Sequence, residues 1–129
     1  MNEGEFLAHV RERGSLGSTE QARTATEATF RVLGSRITGP EAEELAARLP
    51  EPLGVTLVRE REVGPEPFDA AAFVERVGEH EGVDADEAET HAKAVTSTLN
   101  DFVDDGLDGV RDRLPDGYDR LFDPTAIGT

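Results

Sequence analysis

The chain has 129 residues, 28 acidic and 13 basic, for a formal charge of −15, and it contains no Cys and no Trp. The length is that of one ordinary domain, and the charge argues against binding nucleic-acid backbones or anionic membrane surfaces, both of which select positive partners. Without Cys, disulfides, Cys-zinc sites and thiol nucleophiles are excluded. Leu, Ile, Val and Phe supply 30 residues, above the roughly 20% below which highly charged chains stay disordered. No apolar run reaches the roughly 20 residues of a membrane span and no signal-peptide pattern is visible. The expectation is a cytoplasmic domain with a real core.

Twelve of the basic residues are Arg and one is Lys, Lys93. An acidic excess with almost no Lys is expected of a salt-loving organism, a halophilic archaeon, in whose cytosol salt screens the self-repulsion. Residues 1–64 carry net −3 and residues 65–129 carry net −12.

In chain order, Phe6, Leu7 and Val10 fall on one face of a short helix, which Gly14 and Gly17 end. Ser18-Thr19-Glu20-Gln21 reads as a capping box, with Gln21 reaching back to the Ser18 N–H. A long helix over about 19–37 follows, with Ala22, Thr26, Thr29, Leu33 and Ile37 on its stripe. Gly39-Pro40 breaks it, and Pro40 starts a third helix lined by Ala42, Leu45 and Leu49, which Pro50 stops. Leu53, Leu57 and Val58 have helical spacing, but Val55-Thr56-Leu57-Val58 also suits an extended segment. Residues 59–67 form a charged linker. A short helix then carries Phe73, Val74 and Val77, and Asp84 caps a second long helix over about 85–103 with Ala88, Ala92, Val95, Leu99, Phe102 and Val103 on one stripe. Leu107, Val110 and Leu114 line the next helix up to Pro115. Tyr118, Leu121 and Phe122 line a last one.

The chain repeats itself. Phe6 matches Phe73 at an offset of 67; Ala22, Ala28 and Leu33 match Ala88, Ala94 and Leu99 at 66; Arg48-Leu49-Pro50 matches Arg113-Leu114-Pro115 at 65. Each slip falls in a predicted loop, Gly14–Ser18 against Glu81–Asp84 and Thr38–Pro40 against Asp104–Gly106. The fold class expected is all-α: one compact domain, 1–129, of two tandem copies of a three- to four-helix unit, about 3–58 and 68–123, joined by the linker.

The order of a Phe-x-x-x-Val helix, a capped long helix, a short helix and then Leu-Pro, all occurring twice, resembles the domain of unknown function 2267 (DUF2267) family of bacterial and archaeal proteins. The resemblance covers about residues 3–123 and is carried by the paired Phe6 and Phe73 helices and the two Arg-Leu-Pro endings. It implies an all-helical fold and brings no activity, cofactor or catalytic residue with it.

Chemical signatures are scarce. Lys93 is followed by Ala94, so no phosphate-binding loop ends in Lys-Ser/Thr. No Gly-x-Ser-x-Gly elbow surrounds Ser15, Ser18, Ser35 or Ser97. His9, His80 and His91 fall on three different helices and read as surface or core-edge residues, although three His plus an acid can bind zinc. Asp101, Asp105 and Asp112 stand at positions 1, 5 and 12 of a calcium loop, but Val103 at position 3 offers no side-chain oxygen. They are weak metal candidates in what reads as a solvated acidic face. Thr24, Thr26, Thr29 and Thr96 are expected to satisfy themselves by bonding a carbonyl one turn earlier. With no catalytic and no cofactor-binding residue singled out, the expectation is a non-enzymatic helical interaction or regulatory module adapted to high salt, acting through an unknown protein partner or self-association. The alternative is a small-molecule or divalent-cation binder, followed by an enzyme with an unrecognised site.

Overall fold

The computed structural model describes residues 3–36, 39–49, 53–59 and 70–103, which form six helices and no strand: α1 (Glu3–Arg13), α2 (Thr19–Arg36), α3 (Gly39–Arg48), α4 (Leu53–Arg59), α5 (Ala70–Glu81) and α6 (Ala85–Val103). The two long helices follow the apolar stripes. Acidic side chains occupy their first turns, Glu20 in α2 and Asp86 and Glu87 in α6, where the helix dipole favours negative charge.

Local chemistry sets the helix ends. At the end of α1 the Leu16 N–H donates to the Arg11 carbonyl at 2.9 Å, with Ser15 left-handed at φ 54. At the end of α5 the Val83 N–H donates to the Gly78 carbonyl at 3.0 Å, with Gly82 at φ 77. Both are Schellman-type stops, in which a left-handed residue lets the chain turn back onto orphan carbonyls. The next apolar residue, Leu16 or Val83, then packs against the core. The following helices start alike. Ser18 Oγ accepts from the Gln21 N–H at 3.2 Å, and Asp84 Oδ1 accepts from the Glu87 N–H at 2.9 Å.

These stops sit 67 residues apart and the caps 66 apart. The slip is one residue, Gly17, which the first turn has and the second lacks. That residue alters the expected capping box. Gln21 Oε1 accepts from the Gly17 N–H at 2.7 Å, not from Ser18, because the extra residue brings a different free donor under the side chain.

α1 packs on α2 and α5 on α6, while α1 also meets α6 and α5 meets α2, with α2 and α6 in contact between them. Exchange of the two hairpins leaves this contact pattern unchanged. Phe6, Leu7 and Val10 from α1 and Phe73, Val74 and Val77 from α5 enter one core together with Leu33 and Leu99. Phe6 and Phe30 meet edge to face at 5.9 Å. Arg13 ties the hairpins together, donating to Ser97 Oγ at 3.2 Å and Thr98 Oγ1 at 3.4 Å, and a bidentate Arg23–Glu3 bridge joins α2 to α1 at 3.0 Å.

The ambiguous 53–58 segment is helical. Leu53 and Leu57 are buried on one face and Val55 is exposed. α4 lies close on α3 because Gly54 has no Cβ, which would stand 2.8 Å from the Ala46 carbonyl oxygen. Arg59, read as the first linker residue, still belongs to α4. The rest of the linker, Leu114 and the predicted last two helices lie outside the described residues.

The threonines divide. Thr24 and Thr96 donate to the carbonyls of Glu20 and Ala92, as expected. Thr26 and Thr29 correct the expectation: both are fully buried and their hydroxyls make no hydrogen bond. They face the apolar core, where the stripe needed bulk rather than polarity.

Candidate functional site

The two turns lie side by side and bound an open groove of about 930 Å³. Its walls are related residue by residue at the repeat offsets: Leu16 and Val83 from the turns, then Glu20 and Asp86, Gln21 and Glu87, and Thr24 and Thr90 from the first turns of α2 and α6. Both threonines are held by their own helices, Thr24 on the Glu20 carbonyl and Thr90 on the Asp86 carbonyl. Ser18 is occupied as a cap.

One pair breaks the correspondence. His91 Nδ1–H donates to Glu81 Oε1 at 2.9 Å, with only 13% of the histidine side chain and 4% of the glutamate side chain exposed. The equivalent positions of the first hairpin are Ala25 and Gly14, both buried. Gly14 sits close to α6 of the other hairpin, where a Cβ on it would lie 3.3 Å from Ala94 Cβ.

The hydrogen bond to Glu81 raises the His91 pKa above its ordinary 6.5; burial opposes this, and the charges of Glu81 and Glu87 add to it. The imidazolium is thereby favoured and its ring orientation fixed. Glu81 Oε2 is buried and has no hydrogen-bond partner. Leaving such an acceptor without a donor costs about 1–3 kcal/mol, more when it is charged.

Among the described residues four carboxylates thus line the groove, Glu20, Glu81, Asp86 and Glu87, and no Lys or Arg does. The chain belongs to the DUF2267 family. The family's sequence profile, described as "Uncharacterized conserved protein (DUF2267)", matches residues 3–121. No curated protein matches the chain.

Of the residues singled out from the sequence, the three histidines are not brought together in this DUF2267 fold. His9 and His80 are exposed on α1 and α5, and only His91 enters the groove. Asp101 is in α6, while Asp105 and Asp112 lie outside the described residues. Among the described residues no three His, Asp or Glu side chains are grouped to hold a metal ion, and no helix is long and apolar enough to cross a membrane. Sequence reasoning missed Glu81 as a partner of His91. The available signal was the exchange of two small residues, Gly14 and Ala25, for two ionisable ones at the offsets of 67 and 66.

Proposed function

We propose that this DUF2267 chain is a non-enzymatic interaction module of a salt-rich cytoplasm, and that the groove between its two turns receives a basic segment of a protein partner. The observation that carries the reading is the charge of the groove: among the described residues four carboxylates line it and its only basic side chain is His91. Such a cleft attracts cations and steers their approach. An apolar docking face is less well supported, since Val55 is the only large hydrophobic residue exposed among the described residues. Catalysis is also less well supported. Of the four groove hydroxyls among the described residues, those of Ser18, Thr24 and Thr90 are engaged with backbone groups of their own helices rather than with His91, and Ser15 stands on the turn after α1. A small cationic ligand in the same groove is the second reading, favoured by the unpartnered oxygen of Glu81.

The test is an amide-resolved NMR titration with an (Arg-Gly)4 peptide against a (Glu-Gly)4 control, at 0.1 M and 1 M potassium chloride. The expected result is saturable shifts concentrated on residues 14–24 and 81–91, for the basic peptide alone and weakened by salt. Equal shifts at exposed acids elsewhere, such as Glu43 and Glu44 on α3, would refute the groove.

A further inference from the structure

We infer that the second carboxylate oxygen of Glu81 is the anchor of the groove and that it receives a guanidinium, the head of an arginine side chain carried by the partner. The inference rests on the reading of the groove as a receptor for a basic chain, and it assigns the recognition to one atom.

Three observations converge on that atom. Glu81 lines the groove, its side chain is 4% exposed and one oxygen is held by His91, yet Oε2 has no hydrogen bond. A carboxylate accepts through both oxygens, so the pair is built with one acceptor open. Next, Glu20, Asp86 and Glu87 share the groove with it, and among the described residues its walls supply no cation besides His91. Finally, the fold does not require the pair. The first hairpin has Gly14 and Ala25, both buried, at the equivalent positions, so its turn and long helix pack without an acid or an imidazole there.

The chemistry selects the ligand class. A guanidinium is planar, weakly hydrated and presents its donors as a fork, which suits a desolvated carboxylate better than a compact, strongly hydrated ammonium does. A divalent ion needs more oxygen ligands than this, and no third His, Asp or Glu is grouped with the pair among the described residues. Oε2 is buried in the free protein, and the last torsion of a glutamate is broad, so a modest turn of the carboxylate brings Oε2 toward the groove while His91 keeps Oε1. The groove, at about 930 Å³ and open, is in the upper range for ligand sites and leaves room for the chain that carries the arginine.

The experiment titrates the full chain by calorimetry in 0.1 M potassium chloride with three probes: N-acetyl-arginine amide, acetyl-Gly-Gly-Arg-Gly-Gly-amide and the same peptide with Lys for Arg. Glu81→Gln is compared with Glu75→Gln, which removes the same charge from an exposed position of α5 outside the groove. The expected result is saturable binding of the Arg peptide, at least tenfold weaker in Glu81→Gln, changed less than twofold in Glu75→Gln, and at least threefold weaker for the Lys peptide. Should Glu81→Gln unfold, Glu81→Gly with His91→Ala installs the small pair of the first hairpin and is expected to fold without binding. Equal losses in the two Gln variants, equal affinity for Lys, or binding by the Gly/Ala variant would overturn the anchor. Arg-peptide binding that ignores Glu81 would overturn the anchor and keep the partner reading. N-acetyl-arginine amide binding as tightly as the peptide would keep the anchor and overturn the partner reading.

Discussion

Replacing Thr29 by Val is expected to stabilise the protein by about 1–2 kcal/mol. Thr29 is fully buried and its hydroxyl makes no hydrogen bond. Removing a hydroxyl whose desolvation is uncompensated recovers about 1–3 kcal/mol, and the methyl that replaces it adds up to about 0.8 kcal/mol of apolar burial. Imperfect fit of the new methyl offsets part of that sum, since reshaped cores cost up to about 1.5 kcal/mol. Thr and Val have nearly the same helix propensity, so the backbone contributes little. The second hairpin already makes this choice: at the offset of 66, Thr29 corresponds to Val95, which is also fully buried. Urea unfolding followed by helical circular dichroism measures the change as a higher midpoint at unchanged slope. Thr24→Val is the control, because that side chain is exposed and its hydroxyl bonds the Glu20 carbonyl; it is expected to stay within about 0.5 kcal/mol. A Thr29→Val protein that is neutral or less stable would show that its hydroxyl is satisfied in solution and that the α2 stripe is polar by need.

Asp84→Ala removes the oxygen that accepts from the Glu87 N–H and should cost about 1 kcal/mol in the same urea assay. His91 has a raised pKa in the folded state, so its contribution is fully present below its unfolded value near 6.5 and is lost as pH rises through the folded value. The melting temperature should therefore fall across that window on going alkaline, and His91→Gln should flatten the fall. The acidic surface should make stability rise with potassium chloride early, as the Debye length shrinks from about 30 Å at 0.01 M to about 10 Å at 0.1 M. Thermal melts of a variant with Asp101, Asp105, Asp108 and Asp112 changed to Asn should rise less; equal slopes would remove charge repulsion as the cause.

Periodicity and caps made most of the described helices legible. The α6 stripe from Ala88 to Leu99 is buried at every predicted position in that range, because a 3.6-residue period admits one inward face. The Ser18 and Asp84 caps were legible because a short polar side chain before an apolar run has one obvious use. What was not legible depended on contacts distant in sequence. The α4 segment was ambiguous because Val55 and Thr56 favour strands, and the close seat of Gly54 on Ala46 carries no sequence mark. Gln21 reached Gly17 instead of Ser18 because one inserted residue moved the donor. Thr26 and Thr29 stand where a self-satisfying helix threonine is the reasonable expectation, and only their surroundings show the hydroxyls unpaired.

The candidate site lies where two matching helical hairpins differ. Two hairpins with the same stop, cap and core positions place the same residue types around the groove, so most of its wall follows from the fold: Leu16 with Val83, Glu20 with Asp86, Thr24 with Thr90. Residues that agree at these offsets need no explanation beyond helix ends and packing. Glu81 and His91 do need one, because the equivalent positions of the first hairpin hold Gly14 and Ala25, both buried and uncharged. Burying a carboxylate costs several kcal/mol before pairing, and the single hydrogen bond to His91 leaves half of that carboxylate unused. A core position that exchanges a small residue for an incompletely satisfied acid loses stability, and a ligand that supplies the missing donor is the physical circumstance in which that loss is recovered.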